Sequence, residues 1–241
     1  MGKQIFKELI LFENDDFLVI NKPSGISTLE DRIENSNILA TAKISFPQIQ
    51  VCHRLDKDTS GTLVLAKNPE GYRHLSLQFQ NRTVEKIYHA IVHGQTNFMN
   101  YLIDVPLSIK NHGNVKCDAK KGKASSTIIT TLQNFKTCSL VECKPITGRR
   151  HQIRVHLISG NHPIIADTLY EGEFVYLSQL KKKYKPGQRE ERPIINRMAL
   201  HAVSIAFKTL DGKTIVVKAP YPKDYEILLK QLKKYNALND M

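Results

Sequence analysis

The stretch His53-Arg54-Leu55-Asp56-Lys57-Asp58-Thr59-Ser60-Gly61 packs one arginine and two aspartates into five residues, directly before the apolar run Thr62-Leu63-Val64-Leu65-Ala66. A run of that kind reads as a buried strand, and a charged cluster at its mouth can be aimed by a rigid element. A carboxylate held there can act as nucleophile or base, provided it is ionised and pointed at the reacting atom. A guanidinium beside it favours the ionised form and fixes its geometry. Thr147-Gly148-Arg149-Arg150-His151-Gln152-Ile153-Arg154-Val155-His156-Leu157 supplies such cations, fit for an anion site or for pairing with a carboxylate. Tyr88, in Lys86-Ile87-Tyr88-His89-Ala90, adds an aromatic face and a phenol able to move a proton. Taken singly, each has a plainer reading. Asp-x-Asp is usually a solvated turn, a helical arginine a surface ion pair, and a strand tyrosine a packing residue.

Taken together and in order, these segments have one more property. H-R-L-D-x-x-T-S-G, with the strand ending in Ala66-Lys67, resembles the catalytic motif of the RluA-type RNA pseudouridine synthases. The arginine-rich segment resembles that family's T-G-R-x-H-Q-I-R-x-H-L motif, and Asn161-His162-Pro163-Ile164 with Asp167-Thr168-Leu169-Tyr170 resembles its continuation. Lys22-Pro23-x-Gly25, Lys123-Ala124-x-x-Thr127, Arg197-x-Ala199-Leu200-His201-Ala202 and Ala219-Pro220-Tyr221-Pro222 extend the likeness from about Leu9 to Leu229. Arg150 stands where threonine is usual, and Ala166 where glycine is usual before Asp167.

The resemblance implies an α+β pseudouridine synthase fold, with a central mixed, largely antiparallel sheet, flanking helices and a catalytic cleft. It implies Asp56 as the catalytic residue, Arg154 as its partner and Tyr88 stacked on the target base. Arg54, Arg149, Arg150, His151, Gln152 and Leu157 are the expected RNA-binding residues. The implied reaction breaks the bond from N1 of uracil to C1′ of the ribose and joins C5 to C1′. A carboxylate can assist by attacking C1′ or by removing the C2′ proton, and both routes stay open. Neither redox change nor hydrolysis occurs, so no cofactor and no metal are expected. The partner is structured RNA, ribosomal or transfer, whose target base must be extruded at a cost of a few kcal/mol. Arginines on phosphates and an aromatic platform under the base would offset that cost.

Composition agrees with such a partner. The 241 residues carry 35 Lys and Arg against 23 Asp and Glu, a net charge of +12 that attracts polyanions. The opening residues hold no apolar stretch suited to a signal peptide or membrane span, so a soluble, cytoplasmic monomer is expected. Cys52, Cys117, Cys138 and Cys143 lack zinc-site spacing and read as reduced thiols. His53, Asp56, Asp58, His151 and His156 would be the donors for a metal hydrolase, but the five-residue step from His151 to His156 separates them on a helix or a strand. No phosphate-cradling glycine motif is present.

The elements follow from pattern. Leu9–Phe12 and Phe17–Ile20 flank Asn14-Asp15-Asp16 as a hairpin. Residues 29–50 read as a helix and loop. Asn68-Pro69 reads as an N-cap and first helical residue, with Tyr72, Leu75 and Phe79 on the buried face and an end near Asn81. Residues 86–93 alternate as a strand, with Tyr88 and His89 on opposite faces. Short β-rich runs fill 101–145. Residues 150–159 favour a short helix ending at Gly160, with a strand as the alternative. Strands at 200–207 and 214–218 precede a helix around 225–234. Runs of strands with few helices point to α+β. One catalytic domain over residues 1–241 is expected, with no separate RNA-binding domain before it. Target choice then falls to loops such as 29–50 and the basic stretch at about 181–192. The competing functional reading is a non-catalytic RNA-binding protein or RNA chaperone on the same fold.

Overall fold

The structure is a computed structural model describing residues 3–30, 36–110, 114–185, 187 and 190–238. The chain divides into two compact units, Met1–Tyr88 with His201–Pro220, and His89–Leu200 with Tyr221–Met241.

The first unit is built on a mixed sheet. The β1 strand (Ile10–Glu13) and β2 (Phe17–Lys22) form the expected hairpin, and the Asn14 carboxamide oxygen accepts from the Asp16 and Phe17 amides at 3.1 and 2.7 Å. That side chain mimics a turn carbonyl, which is why asparagine closes the corner. β2 pairs antiparallel with β4 (Ser60–Ala66), which pairs parallel with β11 (Leu200–Lys208) through His201 and Ala202. β3 (Gln50–Val51) adds to β4, and β12 (Thr214–Lys218) to β11, both antiparallel.

Every residue of β4 is buried, so the sheet is covered on both sides. The two-residue period sorts its side chains into two cores. Leu18, Ile20, Leu63 and Leu65 pack with Phe6 of α1 (Lys3–Glu8), Ile38 and Ala42 of α2 (Ile38–Lys43), and Leu55. Phe17, Val19 and Val64 pack with Leu75 of α3 (Pro69–Gln80) and with Ile205, Phe207 and Val217. Each such side chain removed from water contributes about 1.5–3 kcal/mol. Helix α2 realises part of the expected helix and loop at 29–50; residues 31–35 lie outside the described residues.

Helix α3 starts as expected, with the Asn68 side chain accepting from the Gly71 amide at 2.8 Å and Pro69 following. Its buried face differs by one position. Gly71 and Leu75 are buried, while Tyr72 is 37% exposed. A Cβ on Gly71 would sit 2.9 Å from the Asp16 carbonyl oxygen, so the helix lies against the hairpin turn through a residue too small to register in an apolar pattern.

The β5 strand (Glu85–His93) crosses the division between the units, and Ala90, Ile91 and Val92 are buried consecutively, not alternately. In the second unit the Ile91 amide donates to Ala199 and its carbonyl accepts from Ile165, so this half of the strand is enclosed on both sides. There β6 (Tyr101–Asp104), β9 (Ser126–Asn134) and β10 (Cys138–Pro145) form an antiparallel run in the order β10-β9-β6, and β7 (Leu107–Ile109) and β8 (Val115–Cys117) form a separate antiparallel ribbon. Residues 152–159 resolve in favour of the helix: α4 (Gln152–Ser159), capped by Gly160. The four-residue α5 (Leu177–Leu180) had no sequence signal, and α6 (Lys223–Tyr235) matches the expected final helix within two residues. The α+β class follows. No helix among the described residues is long and apolar enough to cross a membrane.

Candidate active site

Asp56 lies on the loop that leads into the buried strand β4, and the loop is held from three sides. Leu55 drives its side chain into the core, at 3% exposure. The Thr28 hydroxyl donates to the Leu55 carbonyl at 2.9 Å and accepts from the Leu55 amide at 3.2 Å. Lys22, fully buried, donates through Nζ to the carbonyls of Pro23, Ile26 and Lys57 at 2.8, 2.8 and 3.0 Å. These three bonds tie the ammonium to the backbone on both sides of the loop. The Thr59 amide closes a turn onto the Asp56 carbonyl at 3.1 Å. Fixed on both sides, Asp56 is half-buried while Arg54, Lys57 and Asp58 face solvent.

His53 closes the other end of the loop. Its Nε2 accepts the Val64 amide proton at 3.1 Å, and its ring stacks on Phe79 at 4.6 Å. The imidazole thus continues the hydrogen bonding of β4 where β3 stops. Burial, aided by the Lys86 charge, depresses its pKa to about 3, so it stands as a neutral acceptor. Tyr88 packs against the core that holds Leu55. Burial raises the pKa of its phenol, and the Asp56 charge raises it further. The carboxylate of Asp56 therefore bears on Tyr88, which remains protonated and offers a ring face and an O–H donor.

The arginine-rich segment is assembled in the second unit. His151 adopts a left-handed conformation, φ +53°, at the start of α4, a region that His enters more readily than most residues. Gln152 is buried with four hydrogen bonds. Its oxygen accepts from the Thr147 hydroxyl at 2.6 Å and the Arg149 amide at 3.0 Å, and its nitrogen donates to the Ser126 carbonyl and Thr127 hydroxyl, both at 2.9 Å. His156, also buried, bonds Thr127 and the Val105 carbonyl through its two ring nitrogens at 2.9 and 3.1 Å, and burial lowers its pKa. Leu157 is buried as well. These residues fasten α4 and leave Arg149 and Arg150 exposed at its entrance. Arg154 forks Asp167, Nε to Oδ2 at 2.7 Å and Nη2 to Oδ1 at 2.6 Å, and lies over the Tyr170 ring at 4.7 Å.

The structure thus brings Asp56 together with Tyr88, and Arg154 together with Arg149, Arg150, His151, Gln152 and Leu157. Arg54 is exposed beside Asp56. Lys22, Thr28 and Tyr170 received no individual role from the sequence. Lys22 and Tyr170 lie within segments that carry the family likeness, but nothing local marks Thr28, whose partner is 27 residues away.

The profile of the RNA pseudouridylate synthase family matches residues 16–159, which takes in the Asp56 loop, Tyr88 and Arg154. Ribosomal large subunit pseudouridine synthase C of Buchnera aphidicola subsp. Baizongia pistaciae is 37% identical over 237 residues, covering 95% of this chain and 71% of that protein. The chain belongs to this family. A second relative, ribosomal large subunit pseudouridine synthase C of Vibrio parahaemolyticus, is 32% identical over 236 residues, with the same coverage of 95% and 71%. These RluA-type synthases are isomerases that convert uridine to pseudouridine in RNA, and the chain is one of them. The solved structure of human RNA Pseudouridylate Synthase Domain Containing 4 superposes with a TM-score of 0.72 at 24% identity, covering 96% of this chain and 97% of that one, a likeness of fold.

Proposed function

We propose that this synthase modifies uridine in ribosomal RNA, with Asp56 as the catalytic carboxylate. The observation that carries the assignment is the placement of Asp56: half-buried, on a loop bolted through Leu55 and Lys57, with its charge bearing on the Tyr88 phenol. A carboxylate so fixed meets the demand of aim, and the protonated phenol beside it supports a base-stacking platform. Assisted by Asp56, the N1–C1′ bond breaks, the uracil turns, and C5 joins C1′. The C5 proton then leaves and N1 gains one, so atoms balance without an external reactant. Tyr88, as a phenol, is suited to relay that proton.

Arg154 is proposed as the cation serving Asp56, a role resting on motif likeness. Its grip by Asp167 supports pre-orientation of the guanidinium. Arg54, Arg149 and Arg150, exposed, are proposed to hold phosphates. Gln152, Leu157 and His151 contribute to RNA binding by shaping the loop that presents those arginines. Ribosomal RNA is favoured by the names of the two relatives.

Tritium release from C5-labelled RNA tests the assignment. Native protein should release tritium from large-subunit ribosomal RNA transcripts, and Asp56→Ala should lower the rate by about 10²–10⁴-fold or more. Release from transfer RNA alone would move the substrate. Undiminished release by Asp56→Ala would remove Asp56 from the chemistry. RNA binding without release by either form would favour a non-catalytic RNA binder.

A further inference from the structure

The β7–β8 ribbon and the turn after it carry Lys110, Lys116, Lys120, Lys121 and Lys123 against a single acid, Asp118, and all five lysines are exposed. Asp118 is committed locally. It accepts from the Lys120 and Lys121 amides at 3.2 and 3.0 Å and from the Ser108 hydroxyl at 3.0 Å, contacts that pull its pKa down, while the Lys116 ammonium approaches at 3.9 Å. The carboxylate therefore shapes the turn that presents Lys120 and Lys121. Arg149 donates through Nε to the Ala124 carbonyl at 3.1 Å, which joins this turn to the Arg149–Arg150 loop. A stripe of cations so nearly free of acids is complementary to a phosphate backbone.

The inner side of the ribbon meets one residue of special geometry. Leu107 and Val115 pack with Val155 of α4, and Tyr170 and Cys117 pack against them. The Tyr170 hydroxyl accepts the Val115 amide at 3.0 Å and shares a hydrogen bond with His151 Nδ1 at 2.8 Å. The same ring carries the Arg154 guanidinium on its face, at 4.7 Å. Tyr170 thus touches the main chain of the ribbon with its oxygen and Arg154 with its ring.

We propose that the ribbon grips the RNA backbone and that Tyr170 is the positioning residue coupling this grip to Arg154. Phosphates held by Lys120 and Lys121 bear on β8, β8 is bonded to the tyrosine oxygen, and that bond carries a displacement of β8 to the ring beneath Arg154. The proposal rests on RNA being the partner and on the role given to Arg154 above. Tyr170→Phe keeps the ring beneath Arg154 and removes the oxygen, and with it the bonds to the Val115 amide and to His151.

The test is a double-mutant cycle read by equilibrium binding of a ribosomal RNA fragment over a range of salt, with tritium release measured alongside. Lys120→Ala/Lys121→Ala should flatten the plot of log K against log salt by about 1.4–1.8. In the Tyr170→Phe background the same pair should cost at least about fivefold less affinity than in native protein, because the ribbon is no longer locked. In turnover, the lysine pair should act mainly on KM and Tyr170→Phe mainly on kcat. A tyrosine that merely stabilised the fold would lower the melting temperature without changing what the lysines contribute. An unchanged salt slope, or lysine and tyrosine effects that simply multiply, would overturn the proposal. Binding needs no turnover, so a native protein that fails to release tritium defeats the functional assignment while the binding cycle still decides this one.

Discussion

His53 accepts a backbone amide, and that fixes how its protonation must act. With a pKa depressed to about 3, against about 6.5 in an unfolded chain, the folded protein holds a neutral imidazole. The unfolded chain then binds more protons as pH falls, so the contribution of His53 is complete above about pH 6.5 and is lost toward pH 3. The slope from this residue is at most about 1.4 kcal/mol per pH unit. His53→Gln offers the Val64 amide an oxygen that does not titrate. Denaturant melts between pH 7 and 4 should show a shallower acid decline for His53→Gln than for native protein. Parallel declines would mean that this imidazole is not the group being protonated. At the same scale, Tyr88 has its phenol pKa pushed up by burial and by Asp56, so the protonated form prevails at neutral pH. Tyr88→Phe should preserve RNA affinity, since the ring remains. If the phenol relays the proton it should slow tritium release by about 10²-fold or more. Full activity would confine Tyr88 to stacking.

Elements place these residues, and at Gly61 two of them meet closely. It has φ +113°, and a Cβ built on it would lie 2.1 Å from the Ala202 carbonyl oxygen, where β4 runs parallel to β11. Gly61→Ala must part the strands, which costs about 3 kcal/mol or more from steric overlap and backbone strain together. Urea titration would register this as a lower midpoint with activity lost in step, and a loss under about 1 kcal/mol would refute the close approach. Elements of this kind were largely legible in the sequence where the signal is local. Asn14 at the hairpin, the Asn68-Pro69 cap and the Gly160 stop each act within a few residues, and all three appear where the pattern put them. What escaped depends on partners distant along the chain. Tyr72 is exposed because Gly71 lets α3 approach the hairpin turn, and β5 loses its alternation because segments near 165 and 199 cover it. The candidate site shows the same division. Asp56, Tyr88 and Arg154 are marked by motif, but Thr28 and Lys22 act through backbone atoms of Leu55 and Lys57, which leave no mark on residue type.

Across the whole molecule, the chain leaves and re-enters each unit, and this has a kinetic cost. Ser60 and His201, hydrogen-bonded at 2.9 Å, are 141 residues apart, so the first unit cannot complete its sheet until most of the chain is made. Contacts this distant slow folding. Charge is the other molecular property. The surplus of +12 is spread beyond the site, and Lys182, Lys183 and Lys185 stand exposed in the basic stretch, whose residues 186, 188 and 189 lie outside the described residues. If this stretch contacts RNA, changing those three lysines to alanine should flatten the salt dependence of binding by about 2.1–2.7. An unaltered slope would leave affinity to the ribbon and the arginine loop.

The loop that carries Asp56 separates two tasks that a single short segment usually confounds. Leu55 and Thr59 face inward and hold the backbone, whereas Arg54, Lys57 and Asp58 face outward. Aim and surroundings can therefore change independently. On the proposed assignment, substitutions at the outward positions would redraw the charge around the aspartate while the backbone that carries it stays in place, so RNA preference could shift without rebuilding the chemistry.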